Sequence, residues 1–208
     1  MFLVLVLLGM AYLMSFAQFE KQHALPPLGK IADFTLTNQD NKVVTLADLT
    51  NHVWVADIIF TRCAGPCPRM TAQMRSIQEK LAPVGLAPAS GVVQLVTLTT
   101  DPDYDTPSVM KQYANRFNAD FNRWMFLTGT KEQIGLLAAN SLKLSAKPIA
   151  PADQKNPADL FIHTTIFVVV DKHARLRGIF ETGGEGIDWT NTVRPRLLSA
   201  IHQLEREP

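Results

Sequence analysis

Apolar and polar positions change period several times along the chain, and each change marks an element. From Phe2 to Ala17 a run without any charged residue is apolar on every face. The polar, proline-bearing stretch Glu20 to Lys30 reads as a linker, and the folded domain begins near Ile31. Two short β-prone runs flank Asn38-Gln39-Asp40-Asn41, a hairpin signal. His52 to Phe60 is almost continuously apolar, as expected of a buried central strand. Beyond it Met70, Met74, Ile77 and Leu81 recur at steps of four, three and four, a helical stripe. Val92 to Thr100 predicts a second buried strand, followed by the loop "DPDYDTP", Asp101 to Pro107. A helix from Ser108 to about Phe117, a strand around "WMFLTG" and a helix from Thr130 to Asn140 come next. Leu142 to Leu160 lacks periodicity and is rich in Pro, Lys, Ala and Asp, which predicts a long surface insertion. "TTIFVVVD" and "RLRGIFE" predict two strands around an Asp171–Ala174 turn, and Asn191 to about Leu204 a covering helix. Strands alternating with helices, closed by a hairpin and a helix, predict one α/β domain with a mixed sheet.

Composition narrows the class without changing that picture. The 208 residues are 47% hydrophobic and 19% charged, enough for a packed core. Twenty basic residues against nineteen acidic ones leave +1, with no run of either sign, so no nucleic-acid footprint is expected. The N-terminal apolar run is short for a comfortable bilayer span, and it lacks the usual preceding positive charges. It suits the apolar region of a signal peptide or a membrane anchor, and Ser15-x-Ala17 has the small-x-small form of a cleavage site. The expected organisation is thus a signal peptide or anchor over 1–17, a linker over 18–30 and one domain over 31–208. Such a domain works on the extracytoplasmic side, where thiols meet an oxidising environment.

The chain has two cysteines, both in "FTRCAGPCPRM", at Cys63 and Cys67. They fall where the central strand hands over to the helix. Unpaired backbone N–H groups and the positive end of the helix dipole favour thiolate there. Pro68 suits a first helical turn, and Gly65 and Pro66 hold the loop tight. Three readings stay open on these residues: a redox-active dithiol, two arms of a soft-metal site, or a plain structural pair. A disulfide closing so short a loop would remove little chain entropy and stabilise the fold weakly. Met70 and Met74 are soft donors nearby, but their helical spacing reads as core packing. Of five histidines, His23, His173 and His202 read as ordinary surface residues, and His52 opens the central strand at the end away from the cysteines. His163 stands just before the apolar strand "TTIFVVV", where an antiparallel strand can return to the cysteine edge. On spacing alone it is a candidate ligand beside a structural histidine.

"FTRCAGPCPRM" resembles the F-[ST]-x-C-x-x-x-C-P signature of the Sco/SenC family of thioredoxin-like copper proteins. "TLTTDPDYDTPSVMKQYANRF", "WMFLTGTKEQIGLLAAN" and "IHTTIFVVVDKHARLRGIF" are similar to further segments of that family in the same order. The resemblance runs from about Pro26 to the C-terminus. It implies a thioredoxin-like fold: a central mixed β-sheet flanked by helices, with an N-terminal β-hairpin and an insertion before the penultimate strand. The family's ligands fall on Cys63, Cys67 and His163. The implied cargo is copper, as Cu(I) and with a further donor Cu(II), bound during assembly of the CuA centre of cytochrome c oxidase. The implied partners are a copper-accepting oxidase subunit, another copper chaperone or a thiol reductant, with membrane contact through the N-terminal segment. Two thiolates and an imidazole make a soft, open set suited to Cu(I), whereas structural zinc sites close with four ligands. A thiol–disulfide oxidoreductase using Cys63 to attack and Cys67 to resolve is the alternative. Two departures stand out: many members have Pro after the first cysteine, where this chain has Ala64. Many also have Asp before the histidine, where this chain has Ile162. An acidic neighbour would tune the ligand's orientation and basicity.

Overall fold

The computed structural model describes residues 25–81, 93–144, 146–148 and 161–208, the segments 146–148 and 161–163 by their backbone alone. In chain order the strands are β1 (Gly29–Lys30), β2 (Thr35–Asn38), β3 (Val43–Thr45), β4 (Trp54–Ile59), β5 (Gln94–Thr99), β6 (Trp124–Thr128), β7 (Ala146–Pro148), β8 (Phe161–His163), β9 (Ile166–Val170) and β10 (Arg175–Glu181). The helices are α1 (Pro66–Lys80), α2 (Pro107–Arg116), α3 (Lys131–Gly135) and α4 (Arg194–Arg206). Single π-helical turns extend α3 through Leu136–Ser141 and lead into α4 through Trp189–Val193.

Eight strands join in the order β1-β10-β9-β4-β5-β6-β2-β3, while β7 and β8 pair separately. β4, β5 and β6 are parallel, and their connections run through α1 and α2. β9 lies antiparallel to β4, with Trp54 opposite Val170 and Ala56 opposite Val168. That register returns the start of β9 to the end of the sheet where β4 finishes. The β2–β3 hairpin turns through Asn41 at φ 60°, a conformation that asparagine tolerates better than most residues.

Every residue of β4 is buried, which explains its almost continuous apolar run, broken at Asp57: both sheet faces are covered. Val55 and Ile59 face a core shared with Met70, Met74 and Ile77 of α1, Met110 and Tyr113 of α2, and Leu197 and Ile201 of α4. Trp54, Ala56 and Ile58 face the second core with Ile134, Leu137 and Ala138 of the α3 region. Among the described residues, three α-helices therefore cover one face and one covers the other. Each fully buried Val, Ile, Leu or Met side chain contributes about 1.5–3 kcal/mol.

Two expectations change at the edges. The strand Gly29–Lys30 pairs with β10, so packed structure begins before Ile31. Leu142 and Leu144, read as the start of a surface insertion, are buried in the second core. Residues 149–160 of that stretch lie outside the described residues. So do the apolar run 2–17, its Ser15-x-Ala17 pattern, His23 and the linker through residue 24. Among the described residues no helix is long and apolar enough to cross a membrane.

Candidate metal centre

The cysteine loop begins where β4 ends. The Cys63 amide donates to the Phe60 carbonyl at 3.2 Å, turning the chain out of the strand. Gly65 precedes Pro66, the first residue of α1, whose missing N–H costs nothing in a first turn. Cys67 therefore lies in the first turn of the helix, and the backbone amide of Gly65 donates to the Cys63 sulfur at 3.4 Å. The two thiols are not joined in a disulfide. Cys63 is 9% exposed and Cys67 is 0% exposed, so both border the core but only the first keeps any surface in contact with solvent.

Cys67 hydrogen-bonds to Cys63, and that contact together with burial pushes its pKa up. The Phe60 backbone opposes the rise, and the Asp57 carboxylate adds to it. Asp57 alternates along β4 with Val55 and Ile59, which puts it on the face that carries α1. The sequence alone predicts that a helix N-terminus favours thiolate at both cysteines. The structure corrects this for Cys67, because the hydrogen bond to Cys63 and burial outweigh the dipole.

The start of α1 is held from several sides. Thr71 Oγ1 donates to the Cys67 carbonyl at 3.0 Å and shares a 2.8 Å hydrogen bond with the Tyr113 hydroxyl. Gln73 Nε2 donates to the Thr182 carbonyl at 2.9 Å, tying α1 to the end of β10. Met70 and Met74 are fully buried in the core, as their spacing predicts.

The loop after β5 supplies contacts that sequence reading missed. Arg62 pairs with Asp101 and lies 4.1 Å over the Tyr104 ring, while Thr61 hydrogen-bonds to Asp105 through both its amide and its hydroxyl. A signal existed: β4 and β5 are parallel neighbours, so the loops leaving their C-terminal ends meet on one side. The "DPDYDTP" loop was bound to lie beside the cysteines once that pairing was assumed.

His163 ends β8, and its side chain lies outside the described residues. Its backbone position is informative. Thr165, two residues on, accepts the Thr182 amide at 2.7 Å and donates its hydroxyl to the Gly183 carbonyl at 3.1 Å. A Cβ at Gly183 would overlap the Arg69 guanidinium and touch Thr165, so this segment packs against α1 two residues past Cys67. His163 thus lies in the chain entering β9 at the cysteine end of the sheet. The remaining described histidines lie elsewhere. His52 stands in the turn before β4, the His173 ring meets the Pro208 carbonyl at 2.9 Å, and His202 pairs with Glu205 on α4. Among the described residues no group of three or more His, Cys, Asp and Glu side chains could hold a metal ion. What they do contain is a soft sulfur pair at one point, a donor set that fits Cu(I) better than a hard cation.

Residues 24–197 match the family model SCO1/SenC. The SCO1 protein homolog of Bacillus subtilis (strain 168) is 35% identical over 142 residues, 68% of this chain and 68% of that protein. Among solved structures, BsSco is described as a member of the Sco family of cytochrome c oxidase assembly proteins with a disulfide switch. It is 28% identical with a TM-score of 0.70, covering 89% of this chain and 100% of that one. ScoI of Bradyrhizobium japonicum, solved with copper bound, shares the fold at 19% identity with a TM-score of 0.66, over 84% of this chain and 99% of that one. The mixed sheet with flanking helices is accordingly thioredoxin-like. By the family model across most of its length and the Bacillus subtilis relative, this chain belongs to the SCO1/SenC family.

Proposed function

We propose that the protein is a copper chaperone that carries copper on Cys63, Cys67 and His163 and delivers it to the CuA site during cytochrome c oxidase assembly. The observation that carries this reading is the contact between two unbridged cysteines at the strand-to-helix junction. Two sulfurs so placed can close on one soft ion once their protons leave, and the Gly65 amide supports negative charge on Cys63. The route of the chain from β8 into β9 supports His163 as the third ligand. Family membership and the copper-bound relative support copper as the cargo. Three ligands leave the ion accessible to the thiols of a copper-accepting oxidase subunit. The N-terminal apolar segment supports work at the extracytoplasmic face of a membrane.

The same pair supports a second reading, reduction of a partner's disulfide. Cys63, the more exposed thiol, attacks and Cys67 displaces the partner. Two electrons and two protons pass to the partner's sulfurs, and Cys63 and Cys67 are left as a disulfide. The disulfide switch of BsSco favours keeping this reading. One experiment separates the two: the reduced soluble domain, copper-loaded or metal-free, is mixed with a CuA domain in dithiol or disulfide form. Copper passing from the loaded chain to the dithiol acceptor supports delivery. Reduction of the disulfide acceptor without copper transfer supports exchange and overturns delivery.

A further inference from the structure

The loop that follows β5 does more than pass beside the cysteines. Asp105, fully buried, accepts the Thr61 amide at 3.1 Å and also the hydroxyls of Thr61 and Thr99. Its loop is compact, because the Tyr104 and Asp105 amides both return to the Asp101 carbonyl, at 3.1 and 2.8 Å. The Asp101 amide in turn donates to Thr99 Oγ1 at 2.9 Å. Thr61 stands two residues before Cys63, in the exit from β4. The carboxyl therefore ties the turn just before the first cysteine to the end of the neighbouring parallel strand.

We propose that Asp105 is a positioning residue for Cys63: its hydrogen bonds to Thr61 fix the entry of the cysteine loop and hold the Cys63 sulfur against Cys67. Nothing in this role needs charge. An amide at position 105 can accept from the Thr61 N–H and the Thr99 hydroxyl while donating to the Thr61 hydroxyl, so an asparagine preserves the arrangement. An alanine leaves the half-buried Thr61 N–H and the hydroxyls of Thr61 and Thr99 without their acceptor. The loop then relaxes, Cys63 opens toward solvent, and a two-sulfur ion loses its preset geometry. Outer groups that orient metal ligands commonly change affinity about 10–100-fold.

The copper arm of the test rests on the proposed copper reading, and the alkylation arm does not. D105A, D105N and T61V are compared with the parent chain, together with V170A, which opens a small cavity at the opposite end of β9. Two quantities are read on folded protein: the rate of Cys63 alkylation by iodoacetamide, and Cu(I) affinity against a competing chelator. The expected result is about tenfold faster alkylation and about tenfold weaker Cu(I) binding in D105A. T61V should shift both in the same direction by less, and D105N and V170A should match the parent. Parent-like values in D105A and T61V would overturn the proposal, as would a V170A shift equal to that of D105A. A D105N as impaired as D105A would overturn it in favour of charge. If the parent chain binds no Cu(I), the copper reading fails, and the alkylation rates alone decide the role of Asp105.

Discussion

Cys67 hydrogen-bonds to Cys63 from the first turn of α1, and burial sets the pair apart: Cys63 keeps a sliver of exposed surface while Cys67 has none. Reactivity follows exposure and thiolate character together. With limiting iodoacetamide on the reduced chain near pH 8, peptide mass spectrometry should find label on Cys63 at least about tenfold above Cys67. Label appearing first on Cys67 would contradict the assigned order of attack and resolution.

At the other end of the sheet, Arg177 binds both ends of the described chain. Its guanidinium donates to Asp171 at 2.6 Å, to both Glu207 oxygens at 2.7 and 2.9 Å, and to the Leu25 carbonyl. Burial works to raise the Asp171 pKa, but Arg177 and the amides of Arg175 and His173 outweigh it and hold the carboxyl below its ordinary value. A depressed folded pKa adds stability that is present above pH 3.8 and lost as pH falls through the folded value. R177M removes one of two guanidinium partners of the buried Asp171 carboxylate, leaving Arg175 at 2.8 Å, and should cost about 1.5–3 kcal/mol near pH 7. Urea unfolding should show that loss at pH 7 and a progressively smaller one as the pH falls through the depressed folded pKa of Asp171.

Asp105 titrates with the opposite sign. Burial lifts its pKa above 3.8, with the hydrogen bonds from Thr61 and Thr99 opposing. The folded chain therefore holds a proton that the unfolded chain gives up first. Its contribution relative to D105N is full below pH 3.8 and declines as pH rises through the folded value. Parent stability minus D105N stability should be more favourable at pH 3 than at pH 7. A difference that grows with pH would contradict this environment for Asp105.

Much of this was legible because local pattern and tertiary packing agree. The almost continuous apolar run became β4 because both of its faces are covered, and Met70, Met74 and Ile77 of the four-three-four stripe became the buried face of α1. The Asn-rich turn became the β2–β3 hairpin. What stayed hidden depends on distant chain segments. Asp105 reaches Thr61 across 44 positions, and Arg177 reaches Leu25 across 152, with no periodicity to announce either. Leu142 and Leu144 sit among polar and proline-rich neighbours, so composition hid two core residues. The Cys67 thiol was misjudged for a related reason: a helix terminus is visible in sequence, but the depth at which it is buried is not.

The central claim is that Cys63, Cys67 and His163 bind one copper ion together. Its most direct test is an anaerobic titration of Cu(I) into the reduced soluble domain against a competing chelator, repeated on C63A, C67A and H163A. The account predicts one tightly held ion per chain, abolished by either cysteine substitution and weakened by H163A. Binding no tighter than the chelator, or an affinity unmoved by H163A, would contradict it.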